Sequence, residues 1–150
     1  MAQLAQLSKL ERQIGIKSSP DKFYGFFRNN MPRFPQMFQS NIKSFEIVGG
    51  GELKSGSVTR WKYCLDGSPL MGAKVKLEAI DDARKTMIFD VVEGDVLKMY
   101  KSFKAKVEIG ADYVKWSLEY EKANNNIPDP DVYLDMAAKL SKGIDAHLSK

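Results

Sequence analysis

Two charged side chains interrupt apolar registers of this sequence and are its candidates for acid–base chemistry. Lys101 lies between Met99 and Phe103 in an alternating segment, so an unbroken strand would point its ammonium to the side of those two residues. Held there, the ammonium could bind a carbonyl or enolate oxygen or act as an acid or a base. Glu93 continues the register of Phe89 and is the nearest counter-charge or base. The alternatives are a lysine whose ammonium reaches solvent and a structural ion pair at Glu93.

The other reactive side chains exclude several classes of enzyme. His147 is the only histidine and is expected at the surface in the last turn of a helix, so a Ser-His-Asp triad, a histidine-pair ribonuclease and a multi-histidine zinc site are excluded. Cys64 is the only cysteine and alternates with Trp61 and Tyr63, which argues against a nucleophile on their face and excludes an internal disulfide. Gly49–Gly56 lacks the Gly-Lys-Ser/Thr ending of a nucleotide-binding loop and predicts a stiff turn. No metal site is expected.

The elements that would position these residues are mostly strands. Seven segments alternate between apolar and polar side chains and are separated by turn residues, which is typical of one antiparallel sheet with one apolar face. Asp66-Gly67, between the third and the fourth segment, is a strong hairpin signal. The predicted strands are Leu10–Lys17, Ile42–Val48, Ser57–Leu65, Met71–Ala79, Thr86–Glu93, Met99–Ile109 and Val114–Glu121.

Three helices are predicted to cover the apolar face of that sheet. Ser19 before Pro20 is typical of a helix start, and prolines keep this helix and a second one at Pro35–Gln39 short. The longest helix is predicted over Asp129–Leu148, with Pro130 in its first turn. Its apolar side chains recur at steps of three and four residues and form one face. They are Tyr133, Met136, Ala137, Leu140, Ile144 and Leu148.

Composition and charge restrict the remaining function classes. A chain of 150 residues with 43% hydrophobic and 28% charged residues is typical of a single globular domain, here residues 1–150. The net charge of +4 arises from 23 basic and 19 acidic side chains spread along the chain, which argues against a nucleic-acid partner. No apolar run approaches the roughly 20 residues that span a bilayer. We therefore expect a cytoplasmic protein without a membrane partner, present as a monomer or a weak dimer.

Segments spread over nearly the whole chain carry a resemblance to a known family. Trp116–Lys122 and Ile144–Leu148, in the C-terminal third, resemble segments of the major latex protein family. Val91–Asp95, Leu65–Gly67 and Ser18–Phe23 resemble that family at the expected places as well. The family belongs to the superfamily of birch-pollen-allergen-like plant proteins, also called pathogenesis-related class ten.

This resemblance implies a fold and two kinds of function. The superfamily fold is an α+β arrangement in which a seven-stranded antiparallel curved sheet wraps around a long C-terminal helix, two short helices form a V, and a large hydrophobic cavity lies inside. Many relatives are thought to bind hydrophobic plant metabolites, such as hormones, sterols and flavonoids, for carriage or defence. Others resemble enzymes that condense, isomerise or cyclise intermediates of specialised metabolism. Neither function is expected to need a cofactor.

We interpret the chain as a cavity protein that binds a small hydrophobic metabolite or hormone of the terpenoid, alkaloid, steroid or phenolic class. One alternative is a cofactor-free cyclase or isomerase in the same cavity, with Lys101, Glu93 and Tyr63 as catalytic residues. Another is a filled core that takes up no ligand. The hydroxyls of Tyr63, Tyr120 and Tyr133 would orient a bound molecule. The predicted wall consists of Phe26, Phe27, Phe34, Met37, Phe38, Trp61, Tyr63, Met71, Val75, Phe89, Phe103, Trp116, Leu118, Tyr120, Tyr133, Met136 and Leu140.

Overall fold

One antiparallel sheet of seven strands is the frame of the protein, as seen in a computed structural model that describes residues 7–65 and 68–149. The strands are β1 (Ser8–Gly15), β2 (Ile42–Ile47), β3 (Val58–Tyr63), β4 (Met71–Asp81), β5 (Thr86–Gly94), β6 (Tyr100–Ile109) and β7 (Tyr113–Lys122). Their order in the sheet is β1-β7-β6-β5-β4-β3-β2, so β1 and β2 form its edges. The predicted seven-stranded antiparallel sheet is confirmed. The predicted Asp66-Gly67 hairpin lies outside the described residues.

Three α-helices accompany the sheet in the described part of the chain: α1 (Pro20–Asn29), α2 (Phe34–Met37) and α3 (Asp131–Leu148). Ser19 caps α1, since its Oγ accepts a hydrogen bond of 3.3 Å from the backbone N–H of Lys22. The long helix begins two residues later than predicted. Pro130, expected in its first turn, is the N-cap residue, and Asp129 precedes a proline, which disfavours helical backbone. None of the described helices has the length and the hydropathy that crossing a lipid bilayer requires.

The polar side of α3 is tied to the first strand and to the turn that follows it. The Asp145 carboxylate accepts hydrogen bonds of 2.8–3.0 Å from the backbone N–H groups of Lys17 and Ser18 and one of 2.6 Å from the Ser18 hydroxyl. Partial burial acts to raise the pKa of Asp145, but these hydrogen bonds outweigh it and hold the pKa below its ordinary value. Arg12 of β1 binds Asp135 at 2.6 Å. These contacts fix the helix over the sheet.

A β-bulge at the start of β6 decides which side chains of that strand face inward. The register against β7 shifts between Tyr100 and Ser102, which leaves Lys101 as an extra residue in the ladder. As a result Tyr100 and Phe103 are both buried, although strict alternation would place them on opposite faces. The sequence predicted that Lys101 shares the face of Phe103 only if the strand was unbroken. Because the bulge interrupts the strand at Lys101, that condition is not met.

Candidate ligand cavity

A cavity of about 150 Å³ lies between the sheet and α3. Tyr133, Met136 and Leu140 close it from the helix, because their spacing of three and four residues puts them on one helical face. Among the described residues, no charged side chain lines the cavity. The wall consists of Phe27, Phe34, Ile42, Trp61, Tyr63, Ala73, Val75, Phe89, Val91, Val96, Phe103, Ala105, Trp116, Tyr133, Met136 and Leu140.

Aromatic rings fill much of the space that the sheet and the helices enclose. Phe27 of α1 packs edge-on against Phe34, Phe89 and Trp116, with ring centroids 5.7, 6.2 and 5.7 Å away. Phe89 and Trp116 stack at 6.4 Å with an angle of 23° between their planes. The remaining space is below the roughly 300–1,000 Å³ of drug-sized ligand sites.

Both tryptophans of the wall are held in place by hydrogen bonds to buried hydroxyls. Trp116 Nε1 donates to Ser141 Oγ of α3 at 2.8 Å, and this hydroxyl donates to the carbonyl of Ala137 at 2.8 Å. Trp61 Nε1 donates to Thr59 Oγ1 at 2.9 Å, and Thr59 in turn donates to a backbone carbonyl of β4 at 2.9 Å. Thr59 and Ser141 are almost inaccessible to solvent. Neither indole N–H is left for a ligand.

The polar feature of the wall is a pair of tyrosines, one on β3 and one on α3. The hydroxyl oxygens of Tyr63 and Tyr133 are 2.6 Å apart, so one O–H donates to the other oxygen. Burial raises the pKa of both hydroxyls, and both therefore remain protonated near neutral pH. Because each hydroxyl has one hydrogen and only one hydrogen joins the pair, the second remains for another acceptor. This pair can orient a ligand that carries an oxygen.

The structure places the ammonium of Lys101 outside the cavity. Its side chain is 64% exposed, and its Nζ lies 3.4 Å from a carboxylate oxygen of Glu121 on β7. The bulge described above is the reason, because it turns the extra residue of β6 away from the interior. In this arrangement the ammonium does not reach the cavity.

Glu93 also points away from the cavity. The strand register shifts here as well: Val91 of β5 pairs with Val75, whereas Glu93 pairs with Lys74, so Val92 is an extra residue. The Glu93 side chain is 70% exposed and lies 3.6 Å from the Lys74 ammonium. The structural ion pair considered from the sequence is the observed arrangement. Lys101 and Glu93 thus have separate partners and do not meet in the cavity.

Comparison with known proteins agrees with this fold. The sequence profile of the pathogenesis-related protein Bet v 1 family matches residues 5–150. The chain belongs to the Bet v 1 family. Within that family, the predicted resemblance to major latex proteins is confirmed by relatives of that name.

Relatives in this family include plant proteins of similar length and longer ones. MLP-like protein 43 of Arabidopsis thaliana is 34% identical over 155 aligned positions, which cover 99% of this chain and 98% of the relative. MLP-like protein 34 of the same plant is also 34% identical and is matched over 93% of this chain, but the match spans only 46% of that protein's length.

Solved structures show the same fold. Ginseng major latex-like protein 151 from Panax ginseng superimposes with a TM-score of 0.87 at 36% identity, covering 94% of this chain and 97% of the ginseng chain. Norcoclaurine synthase from Thalictrum flavum superimposes with a TM-score of 0.80, covering 97% of this chain and 88% of that one. Because its identity is only 15%, this second likeness concerns the fold alone.

Most predicted wall residues of this Bet v 1-family chain do lie on the cavity, and six do not. Phe26 lies outside, where its ring is 5.0 Å from His147. Phe38 packs on α3 at Gly143, where a Cβ would come within 2.5 Å of its ring. Tyr120 is buried outside the cavity wall, and its hydroxyl donates a hydrogen bond of 2.9 Å to Asp129 instead of facing a ligand. The other three, Met37, Met71 and Leu118, belong to the surrounding core.

Five wall residues were not on the predicted list. Ala73, Val91 and Ala105 belong to apolar registers that the sequence already indicated, and they were omitted because small or short side chains give a weak signal. Ile42 begins β2, where the ladder is irregular. Val96 lies in a 3₁₀ turn at Asp95–Lys98, which has no strand or α-helix period to identify its buried side.

The remaining motif residues of the sequence do not line the cavity. His147 is exposed, as predicted, and Cys64, which follows the end of β3, is not a wall residue of the cavity. Gly49, Gly50 and Gly51 have φ values of 84°, 74° and 84°, which favour glycine, so the predicted turn is confirmed. Within residues 7–65 and 68–149, no cluster of three or more His, Cys, Asp or Glu side chains could hold a metal ion.

Proposed function

We propose that this Bet v 1-family protein binds one small, uncharged, mostly apolar metabolite in the cavity between the sheet and α3. The observation that carries the proposal is an interior space bounded by apolar side chains and by a single hydroxyl pair, Tyr63 and Tyr133. Sites for small molecules typically combine apolar walls with a few fixed polar groups in this way. A charged ligand would lose its hydration there without gaining a counter-charge.

Burial of apolar surface would supply most of the affinity. A ligand of one ring that buries about 200 Å² would gain about 5 kcal/mol at roughly 25 cal/mol per Å². The cost of ordering the ligand reduces this gain, and the hydroxyl pair restores about 1 kcal/mol through one hydrogen bond. We therefore expect minimal probes to bind weakly, and a metabolite that fits more closely to bind more tightly.

We propose that the protein carries this molecule, or withholds it for defence, rather than converting it. Lys101 and Glu93 have solvent-exposed partners, which leaves Tyr63 and Tyr133 as the titratable groups of the described wall. Their raised pKa values make them weak acids and poor bases at neutral pH. The alternative, a cofactor-free cyclase or isomerase, would have to act through these two hydroxyls or through confinement alone.

The proposal also includes a cytoplasmic location and a monomeric or weakly dimeric state. One unpaired cysteine suits a reducing compartment, and the ion pairs on the sheet surface suit contact with water. Fractionation of cells that express the tagged protein and sedimentation of the purified protein would test these two points.

The test of the proposed function is a titration of the pure protein with single-ring and bicyclic phenolic and monoterpenoid probes. Tryptophan fluorescence reports occupancy because Trp61 and Trp116 line the cavity, and mass spectrometry of the incubated probes reports any conversion. We expect saturable binding of unchanged molecules. The Ala105→Leu variant should lose it because the added atoms fill the cavity. Ala111→Leu is the matched control, since Ala111 is exposed in the turn between β6 and β7.

Two outcomes would contradict this proposal in different ways. Equal binding by the wild type and by Ala105→Leu would place the ligand elsewhere. Conversion of a probe that stops in Tyr63→Phe would show that the cavity is catalytic and would favour the cyclase or isomerase alternative.

A further inference from the structure

We propose that the free edge of the sheet at β2, together with the groove between β2 and α1, binds an extended peptide that carries apolar and basic side chains. The peptide would pair with β2 as an additional strand of the sheet. An exposed sheet edge is a recurring site for extended peptides, which gain main-chain hydrogen bonds there and place alternate side chains in adjacent pockets. The site is separate from the cavity between the sheet and α3, so this inference goes beyond the proposed function.

The backbone of β2 has hydrogen-bonding groups that face away from the sheet. The Val48 N–H donates to a carbonyl of β3 at 2.8 Å, and Glu46, two residues earlier, faces β3 in the same way. The residues between and before them, Ile47 and Phe45, therefore direct their N–H groups to the other side of β2. No described strand pairs with β2 on that side. These groups are available to a strand from another molecule.

A groove beside this edge can receive the side chains of the added strand. Phe45 and Ile47 line it from β2, and Arg28 is among the residues that line it from α1. Met31 and Leu53, which are both buried, add apolar surface to it. Because alternate side chains of an extended peptide point to the same face, every second side chain would enter this groove.

Gly25 leaves open space on the α1 side of the groove. It lies inside the helix, where glycine is less favourable than alanine, and its φ is not positive. A Cβ built on Gly25 would have no atom of a neighbouring residue within 4 Å. Neither the backbone nor a close contact in the described part of the chain therefore requires glycine at this position. The space next to it is available to a side chain of the peptide.

The charges of the groove favour a basic peptide. Three carboxylates line it, and two of them have a cation beside them. Arg28 Nε lies 2.9 Å from Asp82 Oδ1, and Lys85 Nζ lies 3.1 Å from Asp21 Oδ1. Glu52, the third, has no ion pair with a described residue. A lysine or arginine of the peptide can pair with Glu52, and because Glu52 is exposed, we expect this pair to contribute less than the backbone contacts.

The experiment uses a displayed library of random linear peptides as the probe, selected against the purified full chain. One selected peptide is then synthesised and its binding measured by calorimetry. We expect selected peptides to alternate apolar with polar residues and to be rich in lysine and arginine. Hydrogen exchange followed by NMR reports the mode of binding. The peptide should slow exchange of the Phe45 and Ile47 N–H groups, whereas the Val48 N–H is already bonded in the free protein.

Three variants, each with a matched control, test the site. Ile47→Pro removes an outward N–H where proline leaves the ladder to β3 intact, and should bind the peptide about tenfold more weakly than Ile47→Ala. Gly25→Leu should also bind about tenfold more weakly because its side chain fills the groove, whereas Gly25→Ala should bind like the wild type. Glu52→Gln should weaken binding about two- to fivefold. Glu119→Gln should not, because Glu119 is exposed on β7 outside the groove.

Each outcome supports or overturns the strand addition. Selection of no peptide, or equal binding by Ile47→Pro, Gly25→Leu and their controls, would overturn it. A bound peptide that leaves exchange of the Phe45 and Ile47 N–H groups unchanged would overturn it as well, because no strand would have been added. Sedimentation that shows a wild-type dimer and an Ile47→Pro monomer would assign the edge to a second copy of this chain instead.

Two features keep the test decisive. Leucine is a stronger helix former than glycine, so Gly25→Leu should fold even if Ile47→Pro does not. None of the measurements requires a ligand in the cavity, so failure of this inference and failure of the proposed function are distinguishable.

Discussion

The two halves of α3 differ in how they are held. The C-terminal half is fixed by Ser141 against Trp116, by Gly143 against Phe38, and by Asp145 against the turn after β1. The N-terminal half presents Tyr133 and other side chains to the cavity. Arg12 binds the N-terminal half at Asp135 through one ion pair, so the C-terminal half has more polar contacts to the sheet and the N-terminal half more contact with the cavity.

The largest predicted effect comes from removing Trp116 of β7, which contacts the C-terminal half of α3 at Ser141. Truncation by Trp116→Ala should lower the free energy of unfolding by about 3–5 kcal/mol, as for other buried aromatic side chains, and leave the Ser141 hydroxyl without the indole. Urea unfolding followed by circular dichroism measures the loss. Trp61→Ala is the comparison, and because Trp61 is half-buried, we expect a loss of about 1–3 kcal/mol. Equal losses would show that Trp61 and Trp116 are equally important for stability.

A smaller effect is predicted for the hydrogen bonds that the Asp145 carboxylate accepts from Lys17 and Ser18. Asp145→Asn should cost about 1–2 kcal/mol at neutral pH, toward the low end for charge-assisted bonds because the site is partly solvated. The folded pKa of Asp145 is lowered, so its contribution is complete above the unfolded value of about 3.9 and disappears as the pH falls through the folded pKa. The stability difference between wild type and variant should therefore shrink below about pH 4. A difference that is constant from pH 7 to pH 3 would argue against the charge.

The N-terminal half is tested by the double variant Tyr63→Phe/Tyr133→Phe, because either single variant would leave one O–H free for the ligand. We expect little change in stability and a loss of about three- to tenfold in affinity for phenol, the value of one hydrogen bond, with toluene unaffected. Calorimetric titration with phenol and with toluene measures the two changes in affinity. Tyr113→Phe is the matched control, because Tyr113 lies on β7 outside the cavity. A parallel loss for phenol and toluene would indicate a change of shape instead of a lost hydrogen bond.

Sequence alone predicted the sheet, the helices and most of the cavity wall. Alternation in β7 needed no correction, since Val114, Trp116, Leu118 and Tyr120 are all buried as the register requires. The fold class followed because these periods are properties of the chain itself.

The parts that sequence did not predict depend on contacts between distant residues. The bulges at Lys101 and Val92 each add one residue to a ladder, and no local pattern identifies which residue is extra. The periodicity of the sequence also does not show how the aromatic residues pack, because the same residues can line a space or fill it. Only their packing, such as the stack of Phe89 on Trp116, decides between the two.

The smallest effects are predicted for Lys101→Met and Glu93→Gln, which lie outside both halves of α3 and outside the cavity. Each residue has an ion pair at the surface, at 3.4 Å to Glu121 and 3.6 Å to Lys74, and such pairs typically contribute less than about 1 kcal/mol. We expect calorimetry to show the wild-type affinity for phenol. Mass spectrometry of the incubated probes should give the same result as for the wild type. A variant that kept binding but lost conversion of a probe would return Lys101 or Glu93 to a catalytic role, and would require the bulge of β6 or β5 to rearrange when a ligand binds.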